Sequence, residues 1–198
     1  MDPFNVIGLY SPAPASGKTT SAKYLQNEFN LVQASFSNPM KLMLLKFVLN
    51  FAPLGLASTA AYSWANQYFE NKNLPIREIP GTPTMRHLLD TLGTTWGRTA
   101  VHEDVWVEAA RARVNQMRAK GMQGVVFDDV RFQNEADMLR ELGGQFVKIV
   151  MPGNEASGLQ SEGNLEGFPF AAEILNGGDK GALFKVITEV VRPLLGGR

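Results

Sequence analysis

The segment Asn5-Val6-Ile7-Gly8-Leu9-Tyr10-Ser11-Pro12-Ala13-Pro14-Ala15-Ser16-Gly17-Lys18-Thr19-Thr20 holds an apolar run, a loop of small residues and Pro, and a Lys followed by two Thr. Asn5–Tyr10 predicts a short strand. From Thr19 to Phe29 the pattern turns helical, with Ala22, Leu25 and Phe29 on one face. Pro12–Thr19 follows G-x-x-x-x-G-K-[ST] at every required position except the first, where Pro12 replaces Gly. Such a loop works by aiming backbone N–H groups and a helix N-terminus at an anion. A Lys reaches the outer phosphates and a hydroxyl meets a Mg²⁺ ion. Pro12 and Pro14 have no N–H to give, but each fixes its φ and stiffens the loop. A short Gly-Lys-Thr match arises by chance; a strand before it and a helix after it give it meaning. Ala13, Ala15, Ser16, Gly17, Lys18, Thr19 and Thr20 are the expected phosphate-binding residues, with Lys18 the catalytic cation and Thr19 a metal ligand.

Working outward, Leu31–Phe36 predicts a second strand. Pro39 then stands at a first-turn position, where its missing N–H costs little. The helix it opens, Met40–Phe51, is apolar nearly all round and is expected to be buried. A helix over Ala60–Glu70 precedes a Pro-punctuated loop. Thr84 caps a helix over Met85–Leu92 that Gly93 is expected to stop. Glu103–Lys120 is amphipathic, with Trp106, Ala110, Val114 and Met117 as its apolar stripe. Gly124–Val130 reads as a buried parallel strand, Asn134–Leu142 as a helix, Gln145–Met151 and Phe170–Leu175 as strands, and Gly181–Leu195 as a closing helix. Strands alternating with helices predict an α/β fold with three layers around a mostly parallel five-stranded sheet. The expected organisation is one domain over residues 1–198, with a helical substrate-binding insertion at about 53–120 and a lid loop at about 152–169.

The bulk composition narrows the partners. The 198 residues include 19 Lys+Arg and 19 Asp+Glu, and this zero net charge argues against binding nucleic acid polymers. With no Cys and only His87 and His102, neither disulfides nor a Cys- or His-rich metal site is expected. The greasiest stretch, Leu42–Leu56, is interrupted by Lys46, Asn50 and Pro53 and is too short to span a bilayer. The chain opens without a basic, secretory-type leader. A cytoplasmic protein without membrane contact is expected.

Two further groups carry chemistry. Asp128 and Asp129 end an apolar strand, where phosphate-loop enzymes place the carboxylate of their Mg²⁺ shell, and Asp129 is the preferred ligand. The cations Lys41, Arg86, Arg98, Arg111 and Arg131 are candidates for holding a second anion, a task the planar guanidinium fork performs best. Arg131 leaves the carboxyl end of a strand, where open α/β sheets bind ligands. Lys41 stands at a corresponding edge. Glu135, four residues on, is spaced to orient Arg131 across one helical turn.

Together these motifs resemble the bacteriophage deoxynucleoside monophosphate kinases. The resemblance runs in order through Ser16–Thr20, Asn38-Pro39-Met40-Lys41, Arg86-His87-Leu88-Leu89-Asp90-Thr91-Leu92-Gly93-Thr94, Val105-Trp106-Val107, Asp129-Val130-Arg131 with Glu135, Gly143-Gly144 and Ile174–Gly178. It implies an adenylate-kinase-like fold, ATP with Mg²⁺, a deoxynucleoside monophosphate acceptor and a homodimer. Carried over by position, Lys18 meets the donor phosphates, and Arg86 and Arg131 are catalytic or acceptor-binding cations. Lys41, Trp106 and Glu135 join the acceptor site, and Asn176 lies near the adenine. Two departures stand out: Pro12, and a lid region, Pro152–Gly167, without Arg or Lys, so that lid cations are sought at Arg98 or Arg111. The resemblance is thinnest over residues 53–83.

Two other readings stay open on sequence. One is a phosphate-loop kinase for a different small acceptor, such as dephospho-coenzyme A or a sugar acid. The other is a non-catalytic nucleotide-binding module. A GTPase switch needs Asn-Lys-x-Asp after a strand, and Asn176-Gly177-Gly178-Asp179 lacks the Lys.

Overall fold

β1 (Asn5–Tyr10) is buried from Val6 to Tyr10. A strand covered on both faces belongs inside a parallel sheet, and β1 lies there. The structure, a computed structural model, describes residues 4–154, 165 and 167–195. Five parallel strands stand in the order β2-β3-β1-β4-β5. The others are β2 (Val32–Ala34), β3 (Gly124–Phe127), β4 (Gln145–Val150) and β5 (Ala172–Leu175). The sheet is thus wholly, rather than mostly, parallel. In the β1–β3 register Asn5 faces Gly124 and Gly8 faces Phe127.

Because successive strand residues point to opposite faces, the two halves of the core separate cleanly. Ile7, Leu9, Val126, Val147, Ile149 and Ile174 pack with α1 (Lys18–Phe29) and the closing helix α7 (Lys180–Leu194). Val6, Tyr10, Val125, Phe127 and Phe146 pack with α5 (Val105–Ala119) and α6 (Gln133–Glu141). The expected stripe of α5, Trp106, Ala110, Val114 and Met117, is buried throughout.

The chain divides into two compact units, residues 1–36 with 107–198, and residues 37–106. The sheet belongs to the first. The second is helical: α2 (Asn38–Leu49), α3 (Ser58–Glu70), α4 (Met85–Asp90) and a π-helix, Thr91–Val101. Its own core gathers Leu44, Val48, Ala65, Tyr68, Ile76, Ile79 and Met85. The unit begins earlier than the insertion read from sequence, because α2 packs with α3 and α4. Of the expected lid loop, residues 155–164 and 166 lie outside the described residues.

Two sequence expectations are corrected here. α2 is not buried all round: only Leu44 and Val48 are, while Leu42, Met43 and Phe47 are 57%, 43% and 44% exposed. Nor does Gly93 stop the helix that Thr84 caps through the His87 N–H. The chain continues through Gly93 as the π-helix, ending where the His102 N–H donates to the Gly97 carbonyl at 2.9 Å, an i→i+5 bond. Gly93 serves close approach instead, since a Cβ there comes within 3.0 Å of the Met40 sulfur.

Gly124 marks where the sheet tolerates least. A Cβ at this position falls 2.4 Å from the Asn5 carbonyl oxygen and 2.9 Å from a Leu31 methyl. Gly124→Ala must therefore shift the β1–β3 pairing, at about 1–3 kcal/mol. A lowered thermal midpoint is expected, and an unchanged one means that the strand pair yields without cost.

Candidate active site

The Ser11–Gly17 loop, the phosphate loop expected from sequence, leaves the carboxyl end of β1 and is held by its own small residues. The Ser11 hydroxyl donates to the Ala13 carbonyl at 3.0 Å and accepts from the Ala13 N–H at 3.2 Å. The Ser16 hydroxyl donates to the same carbonyl at 3.2 Å. Ala15 and Gly17 both turn into left-handed backbone, at φ +55° and +99°. Gly17 is the N-cap of α1, which has neither a side-chain cap nor an acidic residue in its first turn. Its leading N–H groups, those of Lys18, Thr19 and Thr20, therefore have no intrahelical acceptor, which leaves the helix start suited to an anion. The Lys18 ammonium lies back against the loop, 3.3 Å from the Ala13 carbonyl and 3.4 Å from the Ser16 hydroxyl. Thr19 is exposed.

Outside contacts steady this loop. Asn154 donates from its amide to the Pro14 carbonyl. Asn176, which is 4% exposed, donates from Nδ2 to the Ser16 carbonyl at 3.0 Å, and its Oδ1 accepts from the Gly178 N–H at 2.9 Å. Both ends of that amide are thus engaged within the chain.

The carboxyl end of β3 lies beside that of β1, and Asp128 and Asp129 follow it directly. Asp129 accepts from the Ser35 hydroxyl and, at 2.9 Å, from the Phe36 N–H. Asp128 accepts from the Gln33 amide at 2.8 Å. Gln33 and Ser35, on and just after β2, had no motif to announce them. Among the described residues no three His, Asp or Glu side chains gather to cage a metal. The oxygen donors of Thr19 and Asp129 nonetheless suit Mg²⁺, which keeps several waters and draws its remaining ligands from substrate phosphates.

Arg131 is exposed, and its guanidinium has no hydrogen-bond or ion-pair partner among the described residues. Glu135 does not orient that guanidinium. It is 3% exposed, and one carboxylate oxygen accepts from the backbone N–H groups of Arg131 and Phe132 at 2.8 and 3.1 Å. Glu135 thereby satisfies donors at the start of α6, the N3 half of a capping box, and fixes the backbone from which Arg131 projects.

The remaining expected residues lie in the helical unit or are already paired. Lys41 is half-buried in the first turn of α2. Arg86 is exposed and donates from Nε to the Asn73 amide oxygen at 2.9 Å. Trp106 is 4% exposed, donates its single N–H to the Gly93 carbonyl at 2.9 Å and presses on Gly97, where a Cβ falls 2.5 Å from the indole nitrogen. With that donor used, Trp106 holds the π-helix rather than offering a substrate a hydrogen bond. Arg111 bonds Glu141 at 2.8 Å and Glu108 at 3.2 Å, and the Glu141 hydrogen bond foremost raises its pKa. That commits it to α5 and α6. Arg98 donates to the Glu103 carbonyl at 3.2 Å.

Against known proteins, residues 54–161 match the model of the deoxynucleotide monophosphate kinase family. An Acanthamoeba polyphaga mimivirus protein provisionally named a deoxynucleotide monophosphate kinase is 30% identical over 150 residues, 75% of each chain. The chain belongs to the deoxynucleotide monophosphate kinase family. As a deoxynucleotide monophosphate kinase it is a phosphotransferase. The match to the family model covers residues 54–83, where the resemblance read from sequence is thinnest, and it begins well after the phosphate loop. Two solved structures are also similar: an unliganded sugar kinase from a Janibacter species, at TM-score 0.45 and 15% identity, covering 99% of this kinase and 100% of that chain, and a provisionally named Chloroflexus aurantiacus kinase, at TM-score 0.43 and 11% identity, covering 98% of each.

Glu135→Ala leaves the Arg131 and Phe132 N–H groups without their acceptor. A loss of about 0.5–2 kcal/mol is expected from denaturant titration, together with weaker acceptor binding. Unchanged stability and acceptor KM together would remove the bracing role.

Proposed function

We propose that this kinase moves the γ-phosphate of ATP to the phosphate of a deoxynucleoside monophosphate, giving a deoxynucleoside diphosphate and ADP. The observation that carries the reading is a pairing on one sheet edge. An uncapped helix start with Lys18 follows β1, and Arg131, whose guanidinium has no partner among the described residues, follows neighbouring β3. The first suits the donor's phosphates and the second suits the acceptor's. Backbone N–H groups from Ala15 to Thr20 are assigned to the donor, whereas that of Ala13, expected there from sequence, is given to the Ser11 hydroxyl. Thr19 and Asp129 are assigned to Mg²⁺, which when bound neutralises charge on the donor phosphates. Lys41 and Arg86, in the helical unit, remain acceptor candidates on the family resemblance.

Phosphoryl transfer asks the protein mainly for positioning and charge stabilisation. The acceptor phosphate is already ionised at neutral pH, so its oxygen attacks in line without a general base. Lys18 and Arg131 are assigned to the charge that spreads over the transferring group. We also propose a cytoplasmic homodimer that supplies deoxynucleotides for viral DNA synthesis. The exposed Leu42, Met43 and Phe47 on α2 support self-association, and the mimivirus relative supports a viral setting. No helix among the described residues is long and apolar enough to cross a membrane.

Lys18→Ala should reduce kcat below about a tenth of the parent value with the thermal midpoint kept, because its side chain serves phosphate rather than the core. Arg131→Ala should lower kcat/KM for the acceptor by roughly thirty-fold to several thousand-fold, the effect of losing about 2–5 kcal/mol of charge-assisted contact. Lys at this position should recover only part of it. Steady-state kinetics with both substrates varied check these outcomes, and parent kinetics in Arg131→Ala would return that residue to the ordinary surface.

A further inference from the structure

We infer that Asn176 is a positioning residue, aiming the Gly17 N–H into the phosphate loop, rather than a side chain that reads the adenine. This rests on the reading of Ser11–Lys18 as the donor-phosphate site. A trans peptide is planar, with its C=O and N–H pointing opposite ways, and no cis peptide occurs among the described residues. The Ser16 carbonyl and the Gly17 N–H share one such plane. Asn176 Nδ2 donates to that carbonyl at 3.0 Å and so fixes the plane's rotation. The Gly17 N–H must then point away from Asn176.

The amide itself cannot turn over without losing both bonds. Its Oδ1 accepts from the Gly178 N–H at 2.9 Å, in the turn between β5 and α7, so the nitrogen must face Ser16. The fit is tight: a Cβ on Gly17 comes 2.7 Å from Nδ2. Gly17 therefore meets two demands at once, the left-handed φ of +99° and the approach of Asn176. With 4% exposure and both polar ends engaged, the Asn176 side chain has little to offer a base. What it holds is a peptide plane that every polyphosphate donor must meet, whatever base it carries.

The experiment compares Asn176→Ala and Asn176→Asp with the parent by calorimetric titration of ATP, GTP and inorganic tripolyphosphate, together with the acceptor KM. Asp keeps an oxygen for Gly178 and removes the donor to Ser16, but its carboxylate adds charge beside the loop, so the inference requires the uncharged Asn176→Ala to show the same loss. Both variants should lose affinity for all three ligands by the same factor, about ten- to hundredfold, as expected when a buried carbonyl loses its donor. The acceptor KM should stay at the parent value. A loss confined to ATP, with tripolyphosphate unchanged, would overturn the inference in favour of base contact. Unchanged binding of all three would show that the loop holds its shape unaided. If Asn176→Ala does not fold, Asn176→Leu, near in shape and uncharged, decides on the same readings. Lys18→Ala separates this inference from the functional reading beneath it: tripolyphosphate binding that survives Lys18→Ala undermines the phosphate loop itself, whereas its loss there beside an ATP-only loss at Asn176 sinks the positioning role alone.

Discussion

Parallel pairing on both sides of β1 is the constraint from which the sheet-bearing unit follows. With β3 on one side and β4 on the other, β1 has no free edge and no wet face. Its residues must then be apolar in both directions, and helices must cover both faces. Parallel strands also discharge their loops at a common edge. The loop after Tyr10 and the Asp pair after Phe127 are neighbours for that reason, although more than a hundred residues separate them in the chain. Gly124 and Gly8 let the pairing close, since a Cβ at either meets an atom of the adjoining structure at under 3 Å.

On that frame the site divides its polar groups into those held and those left open. Carbonyls in the loop are held: Ala13 by Ser11, Ser16 and Lys18, Pro14 by Asn154, and Ser16 by Asn176. At the start of α1 no side chain caps the helix. At α6 Glu135 accepts from the Arg131 and Phe132 N–H groups just before the helix. A loop whose carbonyls are tied before the anion arrives has less rearrangement to make on binding, which is the physical content of preorganisation.

Much of this was legible in sequence wherever local pattern and tertiary demand coincide. Asn5–Tyr10 and the stripe of α5 appear as read, and the strand read over Gly124–Val130 forms over Gly124–Phe127. The misreadings share a cause. The period of α2 shows which residues are apolar, not whether anything covers them, and Leu42, Met43 and Phe47 remain exposed. Gly93 reads as a helix stop because that is the usual local use of glycine, yet here it makes room for Met40 and offers its carbonyl to Trp106. Glu135 was spaced correctly for Arg131, but its oxygen went to backbone donors. Gln33, Ser35 and Asn154 act through contacts that no spacing rule encodes.

The central claim is that the phosphate loop delivers a phosphoryl group to a nucleotide acceptor and not to water or an unrelated small molecule. Incubation with ATP labelled at the γ-phosphate, across a panel of deoxynucleoside and ribonucleoside monophosphates, dephospho-coenzyme A and sugar acids, tests it most directly. The account predicts label in a deoxynucleoside diphosphate, matched mole for mole by ADP, with little released as inorganic phosphate. Label appearing only in inorganic phosphate, or only on a non-nucleotide acceptor, would contradict it.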